Sequence, residues 1–337
     1  MKKNKVTLFL MVSTVLVAML GSLSASALVL KVATISPDGT AWMQKMRDGA
    51  DEIKKQTQGR VEIKFYPGGV MGSDENVLRK IRIGQLQGGA VTSGSLTNIS
   101  KDIDIYGLPF LFSSLEEVDH VRSQMDSVLK QQLESSGFVC FGLAEGGFSY
   151  MMSNKALRTV DDVRDRKVWV PAGNDVGEAV FSSANISPVS LPISDVLTAM
   201  QTGLIDTIIT SPIGAIALQW HTRVKYAVDV PLIYYSALLV IDKQAFSKLN
   251  TEDAAIVRSI MEARFREIDR QNRQDNIAAR KALQNQGIEF IKLTDASLKE
   301  WHAIGELAMK KLEKKNSFTQ SIYDQLIRSL RASAAAN

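Results

Sequence analysis

The chain has 337 residues, 45% of them hydrophobic and 23% charged, with one cysteine and a formal charge of +4. That length and apolar content suffice for one large or two modest domains with an ordinary core, and a single cysteine excludes an intrachain disulfide as a source of stability. Three positive charges, Lys2, Lys3 and Lys5, fall in residues 1–27 with no acid among them, so without that segment the charge drops to +1 (4 − 3) and gives no electrostatic case for nucleic acid as a partner.

The chain opens on those lysines, an apolar run from Val6 to Leu20, and Ala25-Ser26-Ala27, small residues where a signal peptidase cuts. This reads as a cleavable secretory signal over 1–27, with the mature protein starting near Leu28 and bound for the periplasm. The alternative is a membrane anchor, but the apolar run is shorter than the roughly 20 residues a spanning helix needs. Cys140 lies far away in the apolar run Phe138 to Leu143, so it offers no N-terminal lipid attachment.

From Leu28 apolar strands alternate with amphipathic helices. Leu30 to Ile35 is a strand; Trp42, Met43, Met46, Ala50 and Ile53 form a helical stripe that stops at Gly59; Val61 to Tyr66 alternates as a half-buried strand ended by Pro67. Ser73 caps a helix through Val77, Leu78 and Ile81 that ends at Gly84. Leu86 to Thr92 is the next strand, with Ser93-Gly94-Ser95 as its exit loop. Ser114 and Glu117 make a capping box for a helix ending at Gly137, before the strand at Cys140. This succession implies parallel strands with right-handed crossovers, and a ligand site beyond the strands' carboxyl ends.

Residues 163 to 212 repeat the pattern: a short strand, Lys167 to Val170, stopped by Pro171; two helices with a strand between them; and a buried apolar strand leading to Thr210-Ser211-Pro212. Asn250 then caps a segment with Ile256, Val257, Ile260, Met261, Phe265 and Ile268 on one stripe, ending at Gly287. Unbroken, it is about 54 Å long at about 1.5 Å per residue. Asp269 to Asn276 is polar on every face, and apolar residues return at Ile277 and Leu283. A strut bridging two lobes fits this pattern, with a solvated middle. Two helices joined by a polar turn are the alternative, although no Gly or Pro interrupts the run.

Catalytic patterns are not found. His120, His221 and His302 have no carboxylate or cysteine at metal-ligand spacing, and the sequence carries no Gly-x-Ser-x-Gly elbow, Gly-x-Gly-x-x-Gly turn or phosphate loop. Non-enzymatic binding, without metal or cofactor, is the reading that follows.

Several motifs in one order resemble the extracytoplasmic solute receptors of tripartite ATP-independent periplasmic (TRAP) transporters, in the dicarboxylate-receptor branch. They are Gly59-Arg60-Val61-Glu62-Ile63-Lys64 leading to Tyr66-Pro67-Gly68-Gly69 and Gly72-Ser73-Asp74, then Gly107-Leu108-Pro109-Phe110-Leu111-Phe112, Gly147-Phe148, Val168 to Pro171, Ala199 to Asp206, and the long helix. The resemblance covers nearly all of the chain after residue 27. It implies a two-lobed α/β fold like that of type II periplasmic binding proteins, its lobes joined by crossing strands and a long bridging helix. Lobe I would take 28–150 and 236–268, lobe II 151–235 and 275–330, with 250–286 spanning both. The implied function is capture of a small organic, carboxylate-bearing solute and its delivery to the small and large membrane subunits of a transporter. A receptor for an ATP-driven importer or a sensor, or a periplasmic enzyme on the same scaffold, are the alternatives.

The family's carboxylate clamp is an arginine in a Lys-Ile-Arg-Val-Pro strand, often assisted by a second arginine after Gly-x and an asparagine beyond the Gln-Thr-Gly-x-x-Asp turn. Those positions are Trp169, Ser149 and Thr210 here. Losing one partner of a buried ion pair typically costs about 3 to 5 kcal/mol, roughly a hundredfold to several thousandfold in affinity. An unchanged clamp is therefore excluded. Either Arg79, Lys101 or Arg223 replaces it, or the ligand offers less charge and more apolar or planar surface. Trp169 lies near its strand's carboxyl end, where it either faces the pocket or packs under a helix; Trp220 stands where the family often has a cleft aromatic. In the first half, Ser36, Asp74, Thr92 and Ser93 match ligand-facing positions of the family, though small polar residues also serve as caps and turns.

Overall fold

The computed structural model describes residues 27–336, and the leader read over 1–27 lies outside them except for its last residue. The first elements are strand β1 (Leu28–Thr34), helix α1 (Ala41–Gln56), β2 (Val61–Tyr66), α2 (Asp74–Arg82) and β3 (Gly88–Thr92). β1 pairs in parallel with both β2 and β3, as the β-α-β succession requires. Two 3-10 stretches, Ser93–Leu96 and Lys101–Gly107, lead to α3 (Leu115–Ser135). Its cap is a variant of the expected box: Ser114 Oγ accepts from Glu117 N–H, but the Glu117 carboxylate accepts from Ser113 N–H.

Two long strands carry the chain between its halves. β4 (Phe138–Ser153) runs antiparallel to β9 (Ile233–Asp242) along most of its length, and β9 pairs antiparallel with β3. β3 and β4 therefore point the same way with β9 between them, so the sheet is mixed where parallel pairing was expected throughout. The reason is topological: β9 returns from the far half of the chain, and strand succession within the first half gives no sign of it.

The second half builds on the other end of β4. α4 (Val160–Arg164), β5 (Trp169–Pro171), α5 (Asp175–Ser183), β6 (Val189–Leu191), α6 (Val196–Thr202) and β7 (Thr207–Thr210) follow in the expected order. α7 (Pro212–Ala217), β8 (Tyr226–Val228), β9 and α8 (Lys243–Phe246) come next. β7 and β8 pair antiparallel with β4. The turn from α6 to β7 shows why its residues recur in the resemblance. Gly203 takes a left-handed φ of 73°, and Asp206 Oδ1 accepts from Lys167 N–H at 3.0 Å and Thr207 Oγ1 at 2.9 Å, locking the entry to β5.

α9 (Thr251–Asn285) is one unbroken helix, capped by Asn250, whose side chain accepts from Asp253 N–H. At about 1.5 Å per residue it is about 52 Å long. Val257, Ile260, Met261, Phe265 and Ile268 are buried in the first half and Leu283 in the second. Its polar middle is not a solvated face, as expected, but a seam against β4. The register of β4 shifts between Glu145 and Gly147, which frees backbone groups from the ladder. Asp269 Oδ1 accepts from Glu145 N–H at 2.7 Å, Asn272 Nδ2 donates to Glu145 O at 2.8 Å, and Asn276 Nδ2 donates to Gly146 O at 3.2 Å. Gly147 has φ of 90°, and a Cβ there would sit 2.6 Å from Asn276 Nδ2. Ile277, read as a return to apolar packing, is 66% exposed.

β10 (Glu289–Ile291) extends the sheet beside β8, α10 (Asp295–Lys315) packs on α5, and α11 (Gln320–Ala336) closes the described chain. Assigning everything from 275 to 330 to one lobe does not describe α11, which packs on α3 of the first half through Leu326 and its neighbours. Asp102 anchors this return by accepting from Thr319 N–H at 2.6 Å. No helix among the described residues is long and apolar enough to cross a membrane.

Candidate functional site

One cavity of about 180 Å³ lies where the ends of β3, β4, β5, β7 and β9 converge. That is on the scale of the ~150 Å³ cavity known to hold a single benzene ring, so the site suits a small molecule. Seven of the eight residues singled out from sequence line it: Trp169, Ser149, Thr210, Trp220, Asp74, Thr92 and Ser93. Ser36 does not. Its hydroxyl lies 3.1 Å from Thr40 Oγ1 and its N–H donates to Thr34 Oγ1 at 3.2 Å, so it serves the turn that starts α1, while Ile35 reaches the wall.

The first-half wall is built by paired turns. Ser73 caps α2, and the next residue, Asp74, accepts from both Thr92 N–H and Thr92 Oγ1 at 2.9 Å, fixing the exit of β3 to the helix. Burial raises the Asp74 carboxyl above the usual range, against the two bonds from Thr92. Ser93 Oγ donates to Asp104 Oδ1 at 2.6 Å. Asp104 sits at a kink in the 3-10 stretch, with φ −102° and ψ 17°. It is enclosed by protein yet keeps part of its surface open to the cavity, and burial pushes its carboxyl up to about 6 while the Ser93 bond holds it down in part. Glu75, exposed on the first turn of α2, completes an acidic edge.

The second-half wall is aromatic. Trp169 is 2% exposed and its Nε1 donates to Leu191 O at 2.9 Å, so its indole is both a wall and a core residue and has no free donor to offer. It meets Trp220 with ring centres 5.2 Å apart at 74°. Thr210 at the end of β7 lies opposite Tyr150 in the ladder, next to Ser149. Tyr235 on β9 shares a 3.2 Å hydrogen bond with Ser211 Oγ, and Gly146 leaves the room its ring occupies, since a Cβ there would lie 2.3 Å from the ring. Burial raises the Tyr235 hydroxyl above its usual range, opposed by Ser211, so it is a neutral donor or acceptor.

None of the three cations offered as replacements for the missing arginine reaches this wall. Arg79 is exposed and donates to Asn76 Oδ1 at 2.8 Å, Lys101 faces a smaller neighbouring cavity, and Arg223 is exposed. The described lining contains no lysine, arginine or histidine. Sequence reasoning also missed Asp104, Glu75, Asn174 and Tyr235. For Asp104 a signal was available in Gly94 and Gly107, two glycines flanking an acid in a short non-repetitive stretch. Among the described residues no group of three or more His, Cys, Asp or Glu is placed to hold a metal ion.

A two-lobed mixed α/β fold with a cavity walled from both halves is the architecture of periplasmic solute-binding proteins. The chain belongs to the bacterial extracellular solute-binding protein family 7, whose sequence profile matches residues 32–316. It is 27% identical over 210 residues to an uncharacterized Haemophilus influenzae protein, covering 60% of this chain and 62% of that one. The chain thus spans less than two thirds of that relative's length. It is 24% identical over 258 residues to the C4-dicarboxylate-binding periplasmic protein of Rhodobacter capsulatus, covering 74% of this chain and 76% of that one. Among solved structures, an extracytoplasmic solute receptor of Bordetella pertussis binding pyroglutamic acid superposes with a TM-score of 0.81 at 23% identity, covering 90% of this chain and all of that one. A TRAP periplasmic solute-binding protein of Haemophilus influenzae with bound L-gulonate gives 0.80 at 20% identity, covering 92% and 99%. The resemblance read from the motifs holds for family and fold.

Proposed function

We propose that this chain is the extracytoplasmic receptor of a TRAP-type secondary transporter, capturing a small organic solute and handing it to the small and large membrane subunits. One observation carries this reading: the cavity is walled on one side by Asp74, Thr92 and Ser93 and on the other by Trp169, Thr210 and Trp220, with β4, β9 and α9 connecting the two sides. A site split in this way closes when a solute bridges its walls, and the closed form is a surface a permease can recognise. We assign lobe I to 28–150 with 236–268, and lobe II to 151–235 with 275–315, with α11 docking back on lobe I. Family membership supports binding rather than catalysis, and a periplasmic location reached through the leader at 1–27.

We assign Trp169, Ser149, Thr210, Trp220, Asp74, Thr92 and Ser93 as solute-facing. The relatives carry acids, but this lining offers an acid no cation, so simple C4-dicarboxylates such as succinate should bind poorly. Native mass spectrometry of freshly purified mature protein tests the reading directly. A small molecule retained at one per chain, released on denaturation without chemical change, is the expected result. Turnover of that compound, or failure of every compound in a broad metabolite panel to raise the melting temperature, would refute the receptor reading.

A further inference from the structure

The charge of the cavity wall is opposite to what an acid needs. Asp74, Glu75 and Asp104 line it, with no lysine, arginine or histidine among the described lining residues. Asp104 is a seated group rather than a stray surface charge. Its Oδ2 lies 3.4 Å from where Gly94 would carry a Cβ, and both its oxygens lie 3.2 Å from the corresponding point at Gly107. A methyl at Gly107 would crowd the carboxyl, so that glycine makes room for it, whereas at Gly94 it would press first on Asn174 Nδ2, 3.2 Å away, and meet the carboxyl at ordinary contact. Ser93 supplies the one hydrogen bond to Asp104 found among the described residues, on Oδ1, leaving Oδ2 for another donor.

Asp74 makes the same point independently. It is over nine-tenths buried and lines the cavity; its Oδ2 accepts from Thr92, while its Oδ1 is enclosed by protein without a hydrogen-bond partner within 3.5 Å, and the Ser95 hydroxyl helps to hold the carboxyl down. Buried carboxylates are kept by opposite charge and donors, and here the protein supplies donors to one oxygen of each and an ion pair within 4 Å to neither, although Lys101 lines the smaller neighbouring cavity that Asp104 also borders. Facing them, Trp169, Trp220 and Tyr235 present aromatic surface, which attracts a cation and accepts an apolar body equally well.

We propose that the solute brings the missing charge itself: it carries a protonated or quaternary nitrogen seated against the Asp104 carboxylate, with its hydrocarbon body against the Trp169–Trp220 pair. This rests on the reading of the chain as a solute receptor and specifies its ligand class. A carboxylate on the same molecule has the hydroxyls of Ser149 and Thr210 to meet, so a zwitterion fits and a nitrogen-free dianion does not.

The test is a thermal-shift panel on the mature chain that sets primary amines, quaternary ammonium compounds and amino acids against nitrogen-free mono- and dicarboxylates and sugar acids. Compounds that raise the melting temperature are then titrated calorimetrically into the native protein and Asp104→Asn. The expected binders carry a cationic nitrogen and lose roughly a hundredfold in affinity on Asp104→Asn. A second measurement avoids the variant: N-acetylating a primary-amine binder, which removes its charge, should weaken it by a similar factor for the native protein. Binding by nitrogen-free acids, affinity within twofold in Asp104→Asn, or indifference to acetylation each overturns the proposal while leaving the receptor reading standing. Absence of any binder in either half of the panel overturns both.

Discussion

Trp169 and Trp220 meet at 74° with ring centres 5.2 Å apart, and each is 2% exposed although both line the cavity. Contact with the solute and packing of the second-half core are thus properties of the same two rings. Trp169→Ala removes a buried indole and leaves Leu191 O without its donor. Loss of a buried Trp typically costs about 3 to 5 kcal/mol, so the variant should unfold at clearly lower urea concentration as well as bind more weakly. The sequence left open whether Trp169 faces the pocket or packs under a helix, and the structure has it do both, so binding and stability cannot be separated at this position. Trp169→Phe retains a ring without the Nε1 donor and should recover much of the stability. Urea titrations of the three proteins without ligand check this, and unchanged midpoints would place Trp169 outside the core.

Asp104 makes the ligand-free protein sensitive to pH. Its carboxyl is pushed from the ordinary 3.8 up to about 6 by burial, so the folded chain holds this proton more tightly than the unfolded chain. The sign follows: stability is unaffected below pH 4, falls as pH rises from about 4 to 6, and by pH 7 carries a penalty of about 3 kcal/mol from this group. Asp74 on α2, its carboxyl likewise raised by burial, is another acid of the same wall and acts in the same direction. Other carboxyls run the opposite way, Asp162 held down by the N–H groups of Arg158 and Thr159 and Asp119 by Arg273. The informative quantity is therefore the difference between the native chain and Asp104→Asn. The variant should be the more stable at pH 7.5, and the gap should close by pH 4; a gap independent of pH would remove burial of this charge as its cause.

The periodic elements were legible in the sequence because their signals are local. Asn250, the stripe from Val257 to Ile268 and the absence of Gly or Pro specify one long helix, and the Asp206 turn specifies the entry to β5. What stayed hidden depends on contacts between distant segments. β9 lies between β3 and β4, and nothing in 28–150 announces a partner that arrives at 233. The polar run from Asp269 to Asn276 looked solvated because its hydrogen-bonding partners are backbone groups freed by a register shift 130 residues away, at Gly146. Of the positions carried over from the family, Ser36 alone falls outside the cavity wall, whereas Asp104 in that wall went unread, since a kinked 3-10 stretch has no periodicity to read.

Asp206 should be replaceable in charge but not in geometry. Its Oδ1 accepts from Lys167 N–H and Thr207 Oγ1, while Arg166 lies 3.5 Å from Oδ2. Asp206→Asn keeps an acceptor and should lose little stability. Asp206→Ala leaves the Lys167 N–H without its side-chain acceptor, at a cost of about 1 to 3 kcal/mol, and frees the strand that carries Trp169. Thermal melts should rank the native chain and Asn variant together and the Ala variant below them. Equal melting of all three would show that the turn holds without this side chain.

The junction of α9 with the crossing strand offers a sharper energetic test. Arg273 reaches the Glu145 carboxylate with Nε at 3.0 Å and a terminal nitrogen at 2.7 Å, and also binds Asp119 at 2.7 Å. Glu145 is 2% exposed, and burial pushes its carboxyl upward against the pull of Arg273. Arg273→Ala therefore strands a buried acid and should destabilise the fold by about 3 kcal/mol. Glu145→Gln in the same chain removes the stranded charge while keeping a hydrogen-bonding group of similar size, so the double variant should regain part of the loss. The single variant should also become less stable as pH rises through the range in which Glu145 ionises, because the folded form then prefers the protonated acid. Urea unfolding of both variants at pH 5 and pH 8 reads both effects together. A double variant no more stable than Arg273→Ala, with no pH dependence in the single, would mean that Arg273 stabilises this junction through its packed side chain rather than through the charge of Glu145.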